Sequence, residues 1–171
     1  MKADFSGLGW LDAFDALILA LEVHYPYTIH RNISWTDLSL KYRDVIAKAA
    51  SQSSREAYIG AMRDLLSDLK DGHCSVESTS PLMKEAEERI KKDEIGGYYG
   101  AVFGRDEKGH VVVIYVSDPS TGLEVGHDLM SVDGVPVQEA LSRMSLRWSD
   151  PVPTTVAHRD QERLRFLSRG S

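Results

Sequence analysis

The chain has 171 residues, 42% hydrophobic and 27% charged, with a formal net charge of −6. That is enough to bury a real core as one domain or two small ones, and an acidic balance without a local run of Lys and Arg argues against nucleic acid or an anionic membrane as partner. Cys74 is the single cysteine, which excludes an intrachain disulfide framework and a cysteine-based zinc cluster. The longest apolar run, Ala16 to Leu21, falls far short of the roughly 20 residues of a membrane span. The opening Met1-Lys2-Ala3-Asp4-Phe5 lacks the basic and apolar regions of a secretion signal. The compartment stays open: cytoplasmic as written, extracytoplasmic if a leader was removed.

Trp10, Leu11, Phe14, Leu17, Ile18 and Leu21 recur on one helical face. Pro26 ends that helix, because it disfavours helix at Tyr25 and offers no amide donor. Ser34, with Asp37 three residues on, caps a second helix whose apolar face is Trp35, Leu38, Tyr42, Val45, Ile46 and Ala49. Ser53 followed by Glu56 reads as a capping box for a third helix, striped by Tyr58, Ala61, Met62, Leu65, Leu66 and Leu69. Gly72 suits the left-handed position that closes it. Three amphipathic helices with short links predict a helical bundle over residues 1–80.

Ser80-Pro81 reads as cap and first turn of a fourth helix, mostly charged, which makes residues 81–95 a solvated connector. From Gly96 the pattern turns to β. Tyr98 to Phe103 and His110 to Val116 are strand-like around the turn Arg105 to Gly109, Asp118 to Gly122 is a turn or single helical turn, and Asp128 to Val132 is a third short strand closed by the hairpin signal Asp133-Gly134. Val137 to Met144 returns to helical spacing, and Thr155 to Leu167 offers a last helix whose arginines give it a solvated face or one that docks on a further domain. The expected fold class is α+β, a helical bundle followed by a small β-rich domain over residues 96–171.

Trp35-Thr36-Asp37-Leu38, the capped helix after Ser53, and Leu69-Lys70-Asp71-Gly72-His73 resemble the amino-terminal helical domain of the tail-specific, or carboxyl-terminal processing, serine peptidases, the broad group that includes tricorn-core proteases. Gly96-Gly97-Tyr98-Tyr99-Gly100, Val111-Val112-Val113-Ile114 and the run Gly126 to Val137, which follows a Gly-x-Asp…Asp-Gly pattern, resemble the PDZ-like domain of that family. The resemblance implies that the serine-bearing α/β domain lies outside this chain and that the PDZ-like domain is incomplete at its C-terminal end. It implies endoproteolysis as the activity of the parent protein, protein or peptide C-termini as its substrates, and the catalytic domain of the same parent chain as a partner. No nucleophile elbow of the Gly-x-Ser-x-Gly kind occurs here, so the chain alone should be inactive. The rival reading is a non-enzymatic PDZ-like peptide-binding adaptor.

His73 is the catalytic candidate. An imidazole titrating near neutrality accepts a serine proton and returns it to the leaving amine, and the resemblance places the activating histidine of tricorn-like members after this helix. Other members keep Asp-Gly-His but use a serine–lysine dyad, which leaves the histidine structural. Asp71 reads as a residue that caps or orients locally, helping the turn rather than catalysing. Cys74, adjacent in extended chain, points away from His73 and reads as a buried structural thiol. A Ser80–Lys84 dyad conflicts with the capping role of Ser80. His24, His30, His110, His127 and His158 lack the spacing of a helical metal pair, so neither metal nor cofactor is expected.

Gly97, Tyr98, Tyr99 and Gly100 are the peptide-binding candidates, because a glycine loop can turn its amides toward a terminal carboxylate beside an added strand. Strand Tyr99 to Phe103 would pair with the peptide. Helix Val137 to Met144 would form the opposite wall, with Leu141 and Met144 lining a pocket. The alternative is an ordinary strand entry with a core-facing helix. An open sheet edge also offers a route to a homodimer.

Overall fold

A computed structural model describes residues 4–169; the Met1-Lys2-Ala3 opening read for a leader, and Gly170-Ser171, lie outside the described residues. The chain is α+β, helices first and small antiparallel sheets after. It divides into two compact units between Glu88 and Arg89, inside the charged fourth helix.

In the first unit α1 (Trp10–His24), α2 (Trp35–Ser51) and α3 (Arg55–Leu69) pack in sequence. Their apolar stripes meet in a core of Phe14, Ile18, Trp35, Tyr42, Ile46, Ala61, Met62, Leu65 and Leu69, and burying each such large side chain contributes about 1.5–3 kcal/mol. Val45, expected on the inner face of α2, is 46% exposed, while Ile46 and Ala49 are fully buried. Polar ties cross the bundle: Arg43 on α2 holds Asp15 on α1, and the Lys41 ammonium and Tyr42 hydroxyl both donate to Asp68 on α3, each at 2.6 Å.

The helix ends refine the sequence reading. Ser34 caps α2 by accepting from the Asp37 amide, and Ser80 caps α4 (Pro81–Ile95) by accepting from the Met83 amide. The cap of α3 is Ser54, not Ser53: its hydroxyl accepts from the Ala57 amide, while Ser53 is left-handed with φ 50°. At the other end the left-handed residue is Lys70 (φ 52°), two positions before Gly72. Its carbonyl accepts a hydrogen bond from Arg31, and that tie offsets the cost of a left-handed conformation in a residue with a Cβ.

The second unit is built on a hairpin of β1 (Ala101–Arg105) and β2 (Val111–Val116), closed by a turn in which Asp106 accepts from the Lys108 and His110 amides. A Cβ at Gly104 would lie 2.8 Å from the Ile114 side chain, so any larger residue there makes that side chain shift. After a 3-10 turn at Pro119–Thr121 come β3 (Ser131–Val132) and β4 (Val135–Pro136), paired across Asp133-Gly134, both at positive φ. α5 (Val137–Arg143) and α6 (Val156–Leu167) follow. Ala101, Phe103, Val111, Val113, Val137, Leu141, Leu164 and Leu167 form the core; Leu146, Trp148 and Phe166 form a second cluster with Ile90 and Ile95 of α4. α6 therefore buries one face in this unit and keeps the other toward solvent. Leu164, Phe166 and Leu167 are all buried within its own unit; Arg165 between them is exposed, while Arg159 and Arg163 are half-buried.

Candidate functional site

α3 delivers Asp71 and His73 just beyond its end. The Cys74 amide donates to the Asp71 carbonyl at 3.1 Å, which makes Asp71 to Cys74 a tight turn with Gly72 and His73 at its corner. Asp71 is 1% exposed, the most buried charged residue of the core. Its Oδ1 accepts from the His73 amide and faces His73 Nδ1, both at 3.0 Å; its Oδ2 accepts from the Tyr25 hydroxyl at 2.5 Å; the Arg31 guanidinium lies 3.6 Å from Oδ1. The His73 side chain, by contrast, is 86% exposed.

The electrostatics follow from those contacts. Burial pushes the Asp71 carboxyl up, but hydrogen bonds from Tyr25 and from the His73 amide and ring, with the Arg31 charge, outweigh it and hold the group at about 2. Burial and the bond to Asp71 push the Tyr25 hydroxyl well above its ordinary range, so it stays a donor. Burial, then the Asp71 charge, raises the Cys74 thiol. Cys74 is half-buried against the helical core, somewhat more open than the sequence reading expected. A raised, partly covered thiol is a poor nucleophile.

With its proton on Nδ1 the ring donates to the buried Asp71 Oδ1 and turns Nε2 away from it, the arrangement in which a carboxylate orients an imidazole. From the sequence Asp71 reads as a residue that caps or orients locally and helps the turn rather than catalyses. Its Asx-turn role is real, since Oδ1 takes the amide two residues on, yet the same oxygen serves the ring. Tyr25 and Arg31, 46 and 39 residues from their partners, carried no local signal.

The six peptide-binding candidates are not brought together. Gly100 is buried at φ +75°, its carbonyl accepting from the Ser117 and Asp118 amides, and a Cβ there would lie 2.7 Å from Asp118 Cβ. It is a close-approach glycine rather than part of an open loop. Gly97 is half-buried in the segment that enters β1. Tyr98 is exposed and lines an open cleft of ≈ 550 Å³ between β1 and α6, which Arg105 and Asp160 span through a two-pronged ion pair at 2.6 and 2.7 Å. Tyr99 and Met144 instead share a separate concavity with Val132, Ala140 and Leu167. Leu141 is 3% exposed and belongs to the core, so it lines no groove. The helix across from β1 is α6, not α5, because Leu164 and Leu167 pack on Ala101 and Phe103 while α5 packs on the β3–β4 hairpin. The Ser168 carbonyl and hydroxyl already accept from the Tyr99 and Phe103 amides, at 3.3 and 3.1 Å. Two of the donors a strand-adding peptide would need are therefore occupied.

No protein-family model matches the chain, and no curated protein matches it. Among solved structures it is similar to mature CPAF complexed with lactacystin, at a TM-score of 0.65 and 16% identity over 95% of this chain. It is also similar to mature CPAF itself, at a TM-score of 0.63 and 17% identity over 94% of this chain. CPAF is a chlamydial serine protease of the tail-specific-protease-like kind. The chain spans 28% of the length of each of those chains. At such identity the likeness is one of fold.

Proposed function

We propose that this chain is the front portion of a serine endopeptidase of the carboxyl-terminal-processing kind, contributing His73 as general base to a serine carried outside these residues. The observation that carries the reading is the pairing of a buried carboxylate with an exposed ring: Asp71 Oδ1 lies 3.0 Å from His73 Nδ1, with side-chain exposures of 2% and 86%. A histidine kept only for packing would be covered. This one is held at one nitrogen and left open at the other, which suits a base awaiting a hydroxyl. The fold likeness to a protease supports the same direction.

In this reading the second unit is PDZ-like and engages substrate. The hairpin β1–β2, the Gly126 turn at positive φ, the β3–β4 hairpin and α5 follow the order of such a domain. With the Tyr99 and Phe103 amides occupied, engagement falls to side chains in the two concavities that Tyr98 and Met144 line.

The test is His73→Ala in the longer protein that carries the serine, assayed on a casein-like substrate. Loss of a general base should lower turnover by about 10²–10⁴-fold. Unchanged turnover would make the ring structural. Separately, anisotropy of a labelled peptide with a free C-terminus, against its amidated twin, reads whether the second unit recognises a terminal carboxylate.

A further inference from the structure

The loop between α1 and α2 touches the turn that carries His73 at two points. Tyr25, the residue after α1, donates its hydroxyl to Asp71 Oδ2 at 2.5 Å. Arg31 donates from Nη1 to the Lys70 carbonyl, and its Nη2 lies 3.6 Å from Asp71 Oδ1. The loop is itself braced. The Ile33 amide donates to the Thr28 carbonyl at 2.9 Å, and the Trp35 indole donates to the Thr28 hydroxyl, which donates to the Tyr25 carbonyl, both at 3.1 Å. The Tyr25 ring stands edge-on to Trp35 at 5.6 Å, and Trp35 is 4% exposed in the core.

We propose that Tyr25 and Arg31 are positioning residues that set the tautomer and orientation of the His73 ring by gripping the carboxylate and the carbonyl beside it. An imidazole that is 86% exposed has no packing to hold it; its orientation depends on Asp71. A carboxylate can turn about its terminal torsion and present either oxygen. Tyr25 on Oδ2 and the His73 amide on Oδ1 leave one orientation, in which Oδ1 meets Nδ1. Arg31 fixes the left-handed Lys70 peptide from which the turn starts, and places positive charge beside Oδ1. Because Trp35 anchors the loop, the grip is transmitted from the hydrophobic core to the ring rather than arising within the turn.

The consequence for catalysis rests on the reading of His73 as a base, but the grip itself is measurable on this chain without any activity. The experiment is long-range ¹H–¹⁵N correlation of the histidine rings in the labelled 171-residue chain at about pH 8.5, comparing wild type with Tyr25→Phe, Arg31→Gln and Asp71→Asn. Expected is a His73 ring protonated chiefly on Nδ1 in wild type. In Tyr25→Phe and Arg31→Gln its nitrogen shifts should move toward those of Asp71→Asn, where the carboxylate is gone. The Trp35 indole signal reports that each variant is folded, and Tyr25→Phe decides alone should Arg31→Gln fail to fold. If Tyr25→Phe lowers the melting midpoint yet leaves the His73 nitrogens at their wild-type shifts, Tyr25 is merely structural and the proposal is overturned. It is equally overturned if wild type and Asp71→Asn share the same ring shifts. Failure of His73→Ala to slow turnover in the longer protein would overturn the catalytic reading instead, and would leave this ring geometry standing.

Discussion

Asp71→Asn offers a quantitative check on the buried carboxylate. The group moves from an ordinary 3.8 to about 2 in the folded chain. At roughly 1.4 kcal/mol per tenfold, that difference contributes about 2 kcal/mol of stability once the carboxyl is ionised in both states. The sign follows from the direction of the shift. A carboxyl depressed on folding stabilises above its unfolded pKa, and the contribution is lost as pH falls through the folded one. The advantage of wild type over Asp71→Asn should therefore fall by roughly two-thirds of that contribution between about pH 6 and about pH 2.5. Any loss from the misplaced amide donor of asparagine is independent of pH and cancels in that comparison. Urea titrations at the two pH values, followed through the Trp35 indole resonance, measure it, since Trp35 is buried in the same core. If the stability difference between the two proteins is the same at both pH values, the carboxylate is not held by the donors described, and the electrostatic account of the site is wrong.

Leu65, 1% exposed at the centre of the helical core, should cost about 2–5 kcal/mol when changed to Ala, read in the same urea assay. Lys70→Gly should raise stability by about 1 kcal/mol, because glycine meets no penalty at φ 52°; a loss would mean the side chain has a role that its geometry conceals. His73→Ala should change stability by less than about 0.5 kcal/mol, since so exposed a ring contributes little packing. The Arg105–Asp160 pair is about one-third exposed, so Asp160→Asn should cost no more than about 1 kcal/mol, and less in high salt.

The parts of the fold legible in the sequence are those governed by local rules. The 3.6-residue stripes of α1 and α3, the Ser34 and Ser80 caps and the Asp133-Gly134 hairpin turn all follow from residues within a few positions of each other, and the structure has them. Local rules blurred where neighbouring residues compete for one role. Ser53 and Ser54 could both cap α3, and Lys70 and Gly72 could both close it. Arg31, 39 residues upstream, bonds the Lys70 carbonyl rather than waiting for Gly72 to end the helix.

The catalytic candidate was visible as Asp71-Gly72-His73, because a tight turn and an imidazole are chain-local facts. That Asp71 is buried, ionised and aimed at the ring was not, since a carboxylate's environment is set by whatever folds over it: Tyr25, Arg31 and the helical core. The expected peptide groove misplaced its wall for the same reason. The spacing of Val137 to Met144 marks an amphipathic helix without saying what it covers, and the packing of Leu164 and Leu167 on β1 gives that place to α6. Periodicity and capping determine which residues form an element and which face is apolar. Which faces meet, and which charges are thereby stripped of water, is decided only when segments distant in sequence compete for the same buried surface.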